Sequence, residues 1–318
     1  MISETAADRV GFQHAALVYG SQEDFLAAAV PFLEEGISAG EPAVLLLDPL
    51  TARSVRRALS QPSAVSFLDQ TRYSNPARAV REFRDTVSTQ LADGGSQVRV
   101  LAEMSPLGSG NTWEWWARYE AAVNEACVDL PIASTCCYDS RVLTDDVLDD
   151  VVRAHPYLVG DGGDRAANVR YEEPGRFLRG RSPAHGADPV ESAPALVTLT
   201  DPTPHAARRA VREVAGRARL EPTEVEGFLL AVSEAVTNAI CHGRPPTRLR
   251  LWSVPGRLVA TVSDRGPGPR DPCVGMQPTK DTTSGGLGLW MAHQMCGHLT
   301  LGYDDDGFTV RIITGRSH

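Results

Sequence analysis

Glu234 and Asn238 lie four residues apart in FLLAVSEAVTNAICHG, a spacing that puts both on one face of a helix. A carboxylate beside an amide oxygen can act as base toward a hydroxyl and hold a hard cation such as Mg²⁺. On a helix the same pair is also the ordinary pattern of a solvated face. Val232, Val236 and Ile240 form a separate row that is expected to face a core. Asp264, Gly266 and Gly268 follow in VSDRGPGP, where the apolar run 257–263 ends. A carboxylate at a strand end can accept from an exocyclic amine, and the glycines let a ring approach the backbone. The same D-R-G-P-G is a good turn sequence. The third group, SGGLGLWMAHQMC over 284–296, is a glycine-rich entry to an amphipathic helix, whose free N–H groups and dipole suit a polyphosphate.

In this order, over about 55 residues, the three groups resemble the N, G1 and G2 boxes of the GHKL ATPases, a motif set whose confirmation is its structural context. The resemblance covers about residues 195–314. SEAVTNAICHG and the compact size are most similar to the anti-sigma factor serine kinase branch. It implies a C-terminal α+β GHKL (Bergerat) ATP-binding sandwich that uses ATP and Mg²⁺. By residue it implies Glu234 as general base, Asn238 as the Mg²⁺ ligand and Asp264 as the group that recognises the adenine amine. Gly266 and Gly268 would floor the base pocket, while Gly286 and Gly288, followed by Leu289, would open the helix that cradles phosphates. Residues 269–285 would be the lid, in which Thr279, Lys280, Thr282, Thr283 and Ser284 can donate to phosphate or simply make a polar loop. Lys280 and Ser284 are included in the expected binding set. The implied partners are a sigma factor and an antagonist (anti-anti-sigma) protein carrying the target serine, with a homodimer through the ATP domain.

In the first half, the stretch from FQHAALVYGSQEDF to the segment ending VVRAHPYLV resembles the MEDS sensory domain, found fused to bacterial regulators. Its start is also similar to the strand, loop and helix that hold phosphates in RecA-type ATPases. The loop YGSQEDF carries Glu23 and Asp24 where such a site needs Lys and a hydroxyl, so anionic phosphate is repelled. The expectation is a degenerate, ligand-sensing or protein-binding domain. The resemblance singles out His14 and His155, whose ordinary reading is hydrogen-bonded structure. Cys136 and Cys137 are adjacent on a strand and point to opposite faces, so they do not chelate one ion together. His293 and Cys296 share a helix face, but two ligands do not make a zinc site. Trp113, Trp115, Trp116 and Tyr119 load one helix with aromatics and are expected in the core.

These residues need elements to position them. HAALVY, AVLLLD, AVSFLD, VRVLAEM and PIASTCCY read as strands buried on both faces. They alternate with helices over roughly 22–39, 50–60, 75–92, 112–128 and 144–154, with Ser21, Asn75 and Thr144 as N-caps. Strict alternation implies a doubly wound, mostly parallel sheet. Pro31 should kink or divide the first helix. The segment 173–194, rich in Pro, Gly, Arg and Ser, reads as an exposed linker between a 1–172 sensory domain and a 195–318 ATP domain. In the second half, a strand at 195–200 is followed by helices over 204–219 and 222–241 and strands over 247–254 and 257–263. A helix over 286–296 and strands over 298–303 and 307–313 close an antiparallel sheet.

Composition limits the function classes. The chain has 318 residues with 31 basic and 40 acidic, a net charge of -9. Without a Lys/Arg cluster that charge excludes direct nucleic-acid binding. There is no apolar run of the roughly 18 residues a membrane span needs, and the N-terminus lacks a signal-peptide pattern, so the expected location is the cytoplasm. The six cysteines form no C-x-x-C pair and read as buried, reduced thiols. Two functions then compete: a cytoplasmic anti-sigma-type serine kinase, and an ATP-responsive binding protein that transfers no phosphate. A sensor histidine kinase is disfavoured, because no helical hairpin with a phosphoacceptor His precedes the ATP motifs.

Overall fold

The computed structural model describes residues 11–68, 76–92, 94–103, 113–160, 162–180, 188–269, 271, 273–276, 287–304 and 306–315. It divides into two compact units, Met1–Leu178 and Arg179–His318, each considered by itself.

The first unit alternates strand and helix: β1 (Phe12–Tyr19), α1 (Gln22–Ser38), β2 (Ala43–Leu46), α2 (Pro49–Ala58), β3 (Val65–Phe67), α3 (Pro76–Ala92), β4 (Val98–Glu103), α4 (Trp113–Ala126), β5 (Ile132–Asp139) and α5 (Asp145–Ala154). Two short strands, β6 (Tyr157–Val159) and β7 (Arg165–Ala167), and helix α6 (Pro174–Gly180) follow. The sheet order is β3-β2-β4-β5-β1-β6-β7, parallel throughout except for the antiparallel β6/β7 edge. The central strands are buried along nearly their whole length, because crossover helices cover both faces. Ser21 caps α1 through the Asp24 N–H. Asn75 lies outside the described residues, and Thr144 occupies the N-cap position of α5 without a side-chain hydrogen bond. Contrary to expectation, α1 runs unbroken through Pro31. Pro31 and Ala27, whose carbonyl loses its N–H partner, are both exposed, so water can satisfy the freed carbonyl.

The second unit contains β8 (Val197–Thr200), α7 (Pro204–Ala215), α8 (Pro222–His242), β9 (Arg248–Val254), β10 (Arg257–Asp264), α9 (Leu287–Met295), β11 (His298–Asp304) and β12 (Gly307–Gly315). The strands form an antiparallel sheet ordered β11-β12-β10-β9-β8. Alternate residues on one face, Leu249, Leu251, Leu258, Ala260, Val262, Val310 and Ile312, join the inward faces of α7, α8 and α9 in one apolar core. Proline at the first helical position starts α7 and α8. Thr203 caps α7, and the Glu221 N–H donates to Glu224 at the start of α8.

The exposed-linker reading of 173–194 needs correction at both ends. Residues 174–180 form α6, with Phe177 buried, and 188–193 pack on the outer face of the second sheet. There Asp188 pairs with Arg257 and Glu191 with Arg311, while the Trp252 indole N–H donates to the Ala193 carbonyl at 2.8 Å. Ile240 also departs from expectation, at 53% exposure. Each four-residue step rolls about 40° around a helix, so the row Val232, Val236, Ile240 leaves the core and the buried face runs through Val232, Ala235, Val236 and Ala239.

Candidate functional site

Helix α8 carries one wall of the site. Glu234 and Asn238 sit one turn apart, both half-buried, beside the stripe that fills the core. Neither side chain makes a hydrogen bond or ion pair with another described residue. Glu234 reaches the first turn of α9: a Cβ added at Gly288 would lie 2.6 Å from the Glu234 carboxyl carbon and overlap its oxygen. The carboxylate therefore stands at a helix N-terminus, where free N–H groups and the helix dipole favour negative charge. Leu289, the next residue, is buried in the core against Gly275, so any part it has toward a ligand is through its backbone.

The other end of the site forms where α8 stops. Asp264, the last residue of β10, is 4% exposed. Its Oδ1 accepts the N–H of Gly266 at 2.6 Å and of Arg244 at 3.1 Å, and Oδ2 accepts from no described residue. Gly243, which ends α8, leaves the room for this: a Cβ there would be 2.5 Å from Asp264 Oδ1. One at Gly266 would be 2.6 Å from the same atom. Gly268 has φ +64, and a Cβ would be 2.5 Å from the Phe308 ring, so only glycine suits it. From Gly243 back to Glu234 is nine residues, about 13 Å along the helix axis.

Among the sequence-predicted residues, Glu234 and Gly288 meet at the start of α9, and Asp264 and Gly266 meet at the end of α8. Lys280, Ser284, Gly286, Thr279, Thr282 and Thr283 lie outside the described residues. Gly243 and the Arg244 N–H escaped the sequence reading; the His-Gly after the helical run was their signal, since glycine commonly ends a helix.

The first unit holds a second constellation. His14 on β1, Glu120 on α4, Cys136 on β5 and His155 at the end of α5 are 1%, 0%, 4% and 0% exposed. His14 Nε2 is 3.1 Å from Glu120 Oε2 and 3.3 Å from Cys136 Sγ, and His155 Nε2 is 3.4 Å from the same Glu120 oxygen. Burial pushes the Glu120 carboxyl upward, but hydrogen bonding and charge from the two imidazoles outweigh it and hold it at about 2. Burial lowers His14, helped by His155. Cys136 is raised well above the usual thiol range by burial and by Glu120. Cys137 faces the opposite core, as strand alternation requires. Glu120 was missed from sequence, although a charge inside YEAAV on an otherwise apolar face was a signal.

The remaining candidates are structural. Trp116 is buried and meets Tyr119 edge-on, and the Trp113 indole donates to Asp150 at 2.8 Å; the Trp115 side chain lies outside the described residues. Cys296 donates to the Gly227 carbonyl at 3.4 Å. Cys241 is exposed, against the expectation of uniformly buried thiols, because it falls on the outward side of the last turn of α8. Glu23 and Asp24 are exposed in the first turn of α1.

Comparison with known families decides what the two units are. Residues 13–156 match the family described as MEDS, the methanogen/methylotroph, DcmR sensory domain, and residues 199–314 match the histidine kinase-like ATPase domain. The chain joins a MEDS domain to a histidine kinase-like ATPase domain. No curated protein matches it. The Glu234, Asn238, Asp264 and Gly288 arrangement lies wholly in the ATPase domain, and the four-residue buried cluster wholly in the MEDS domain. No helix among the described residues is long and apolar enough to cross a membrane.

Proposed function

We propose that the ATPase domain binds ATP with Mg²⁺ and acts as an anti-sigma-type protein serine kinase, binding a sigma factor and phosphorylating an antagonist protein under control of the MEDS domain. The observation that carries the reading is the disposition of three acceptor side chains along α8 and β10. Asp264 offers a carboxylate oxygen at one end, Glu234 stands at the N-terminus of α9 at the other, and Asn238 lies between them, one helical turn from Glu234 on α8. A Cβ at Gly266 or Gly268 would collide with Asp264 or Phe308, so glycine at both positions lets the loop after β10 pass close beside the Asp264 carboxylate.

In this reading Asp264 Oδ2 accepts from the exocyclic amine, while the two backbone N–H groups on Oδ1 fix the carboxylate. Asn238 supplies an amide oxygen for Mg²⁺, an oxygen-seeking ion, and the free N–H groups of α9 face the phosphates. Bound Mg²⁺ would neutralise charge on the transferring phosphoryl group. Glu234 takes the proton of the attacking serine hydroxyl, a poor nucleophile at neutral pH. The test is transfer of labelled phosphate from ATP to a protein partner captured with the full chain. Transfer to a serine supports the reading, and a partner that binds in an ATP-dependent way yet never accepts phosphate replaces it with a non-catalytic, ATP-responsive binding module.

A further inference from the structure

We propose that His14, Glu120, Cys136 and His155 form a metal site in the MEDS domain for a single divalent first-row ion of the zinc type. The hydrogen bonds around the cluster fix the tautomers. Asn124 donates its amide N–H to the carbonyls of Glu120 and Ala154, both at 2.9 Å, so its Oδ1 faces His14 Nδ1 at 3.0 Å as an acceptor. His155 Nδ1 lies 2.7 Å from the Val151 carbonyl, which can only accept. Both Nδ1 atoms must therefore carry hydrogen, so each ring, when neutral, turns an Nε2 lone pair inward where a protonated ring would donate to Glu120. Those lone pairs converge on a carboxylate oxygen and a sulfur, all four atoms lying within 4.8 Å of one another.

Two imidazole lone pairs, a carboxylate and a sulfur facing each other in a dry interior repel unless protons or a cation lie between them. Both Glu120 oxygens are buried without a well-aligned hydrogen bond from any described residue. The hydroxyls of Tyr138 and Ser134 make only long contacts, 3.4 Å to His155 Nε2 and 3.9 Å to Cys136 Sγ. The spacing suits an ion. Bonds of about 2.0–2.3 Å place tetrahedral ligands about 3.3–3.8 Å apart, and the shorter separations here are 3.1, 3.3 and 3.4 Å. A dication with one carboxylate and one thiolate is also neutral overall, which burial favours. The Nδ1–H bonds to Asn124 and Val151 are the outer contacts that orient imidazoles on metals. A pocket whose walls include His14, Cys136, Phe12 and Trp116 adjoins the cluster.

The test uses the full chain stripped with chelator and titrated with Co²⁺, then Zn²⁺. One Co²⁺ per chain is expected, with tetrahedral ligand-field bands and a thiolate-to-cobalt charge-transfer band, all removed by Zn²⁺. Cys136→Ser should lose the charge-transfer band, and Asn124→Ala should weaken binding by about 10- to 100-fold while circular dichroism stays unchanged. The wild-type titration needs no variant to fold. The site is refuted by no saturable Co²⁺ binding, by a charge-transfer band that survives in Cys136→Ser, or by undiminished affinity in His14→Gln/His155→Gln.

Discussion

Asp264→Asn separates the adenine-pocket assignment from mere fold maintenance. The variant keeps an oxygen for the Gly266 and Arg244 N–H groups, at 2.6 and 3.1 Å in the native chain, so the turn after β10 should survive. What changes is the other position of the carboxylate, where an acceptor becomes an NH₂ donor. The amine of adenine would then meet a donor, and a hydrogen bond to a charged, buried acceptor is lost. That loss is worth about 1–3 kcal/mol, or about 5- to 160-fold in dissociation constant. Calorimetric titration of the full chain with ATP and GTP, each with Mg²⁺, measures it. The native chain should prefer ATP, and the variant should lose affinity for ATP and narrow the ratio, with its melting temperature little changed. Undiminished ATP affinity, or an unchanged ratio, would refute the assignment.

Three further outcomes are expected. Gly288→Ala places a methyl on the Glu234 carboxylate, so phosphate transfer should fall by at least tenfold while circular dichroism and the bound-nucleotide stoichiometry hold; wild-type transfer would show that Glu234 has no fixed place at α9. Photo-crosslinking with an azido-ATP should label peptides from 195–318 only, because Glu23 and Asp24 stand at the start of α1 where a phosphate loop needs positive charge; labelling near residues 20–25 would contradict this. Arg153 holds Glu172 below the usual carboxylate range through their hydrogen bond, as Arg141 does Asp139. Their native values being depressed, the stabilisation is present above about pH 4 and is lost as pH falls through the lowered values. Arg153→Gln should thus cost under about 1 kcal/mol at pH 7, and the deficit should vanish near pH 3; an equal deficit at both pH values would count against it.

How much could be read from the chain depends on whether the determining contacts are local. The buried strands of the MEDS domain announce themselves as apolar runs, since a strand covered on both faces has no polar side to show. Strands β6 and β7 did not, being three residues each on a partly exposed edge. The three ATP-domain motifs were legible because helix period, strand end and glycine turn are local features. Their junctions were not: Asp264 meets Gly243 across 21 positions, and Glu234 meets Gly288 across 54. The docked stretch 188–193 read as linker because its order comes from Arg257 and Arg311 on distant strands. Those two arginines, placed among apolar strand residues, were the available sign that an acidic segment covers that face. The buried cluster shows the same limit, for His14 and Glu120 meet only through the packing of α4 on the sheet.

If Glu234 acts as base and Asn238 holds the metal in an ATP-dependent phosphate transfer, losing one side chain has different consequences from losing the other. The most direct measurement is transfer of labelled phosphate to the captured partner beside nucleotide titration, on Glu234→Ala and Asn238→Ala in the full chain. Glu234→Ala should lose about 10²- to 10⁴-fold in transfer rate while nucleotide affinity survives, and Asn238→Ala should lose transfer together with Mg²⁺-dependent affinity. Wild-type transfer by Glu234→Ala, or nucleotide affinity in Asn238→Ala with the native dependence on Mg²⁺, would contradict the account.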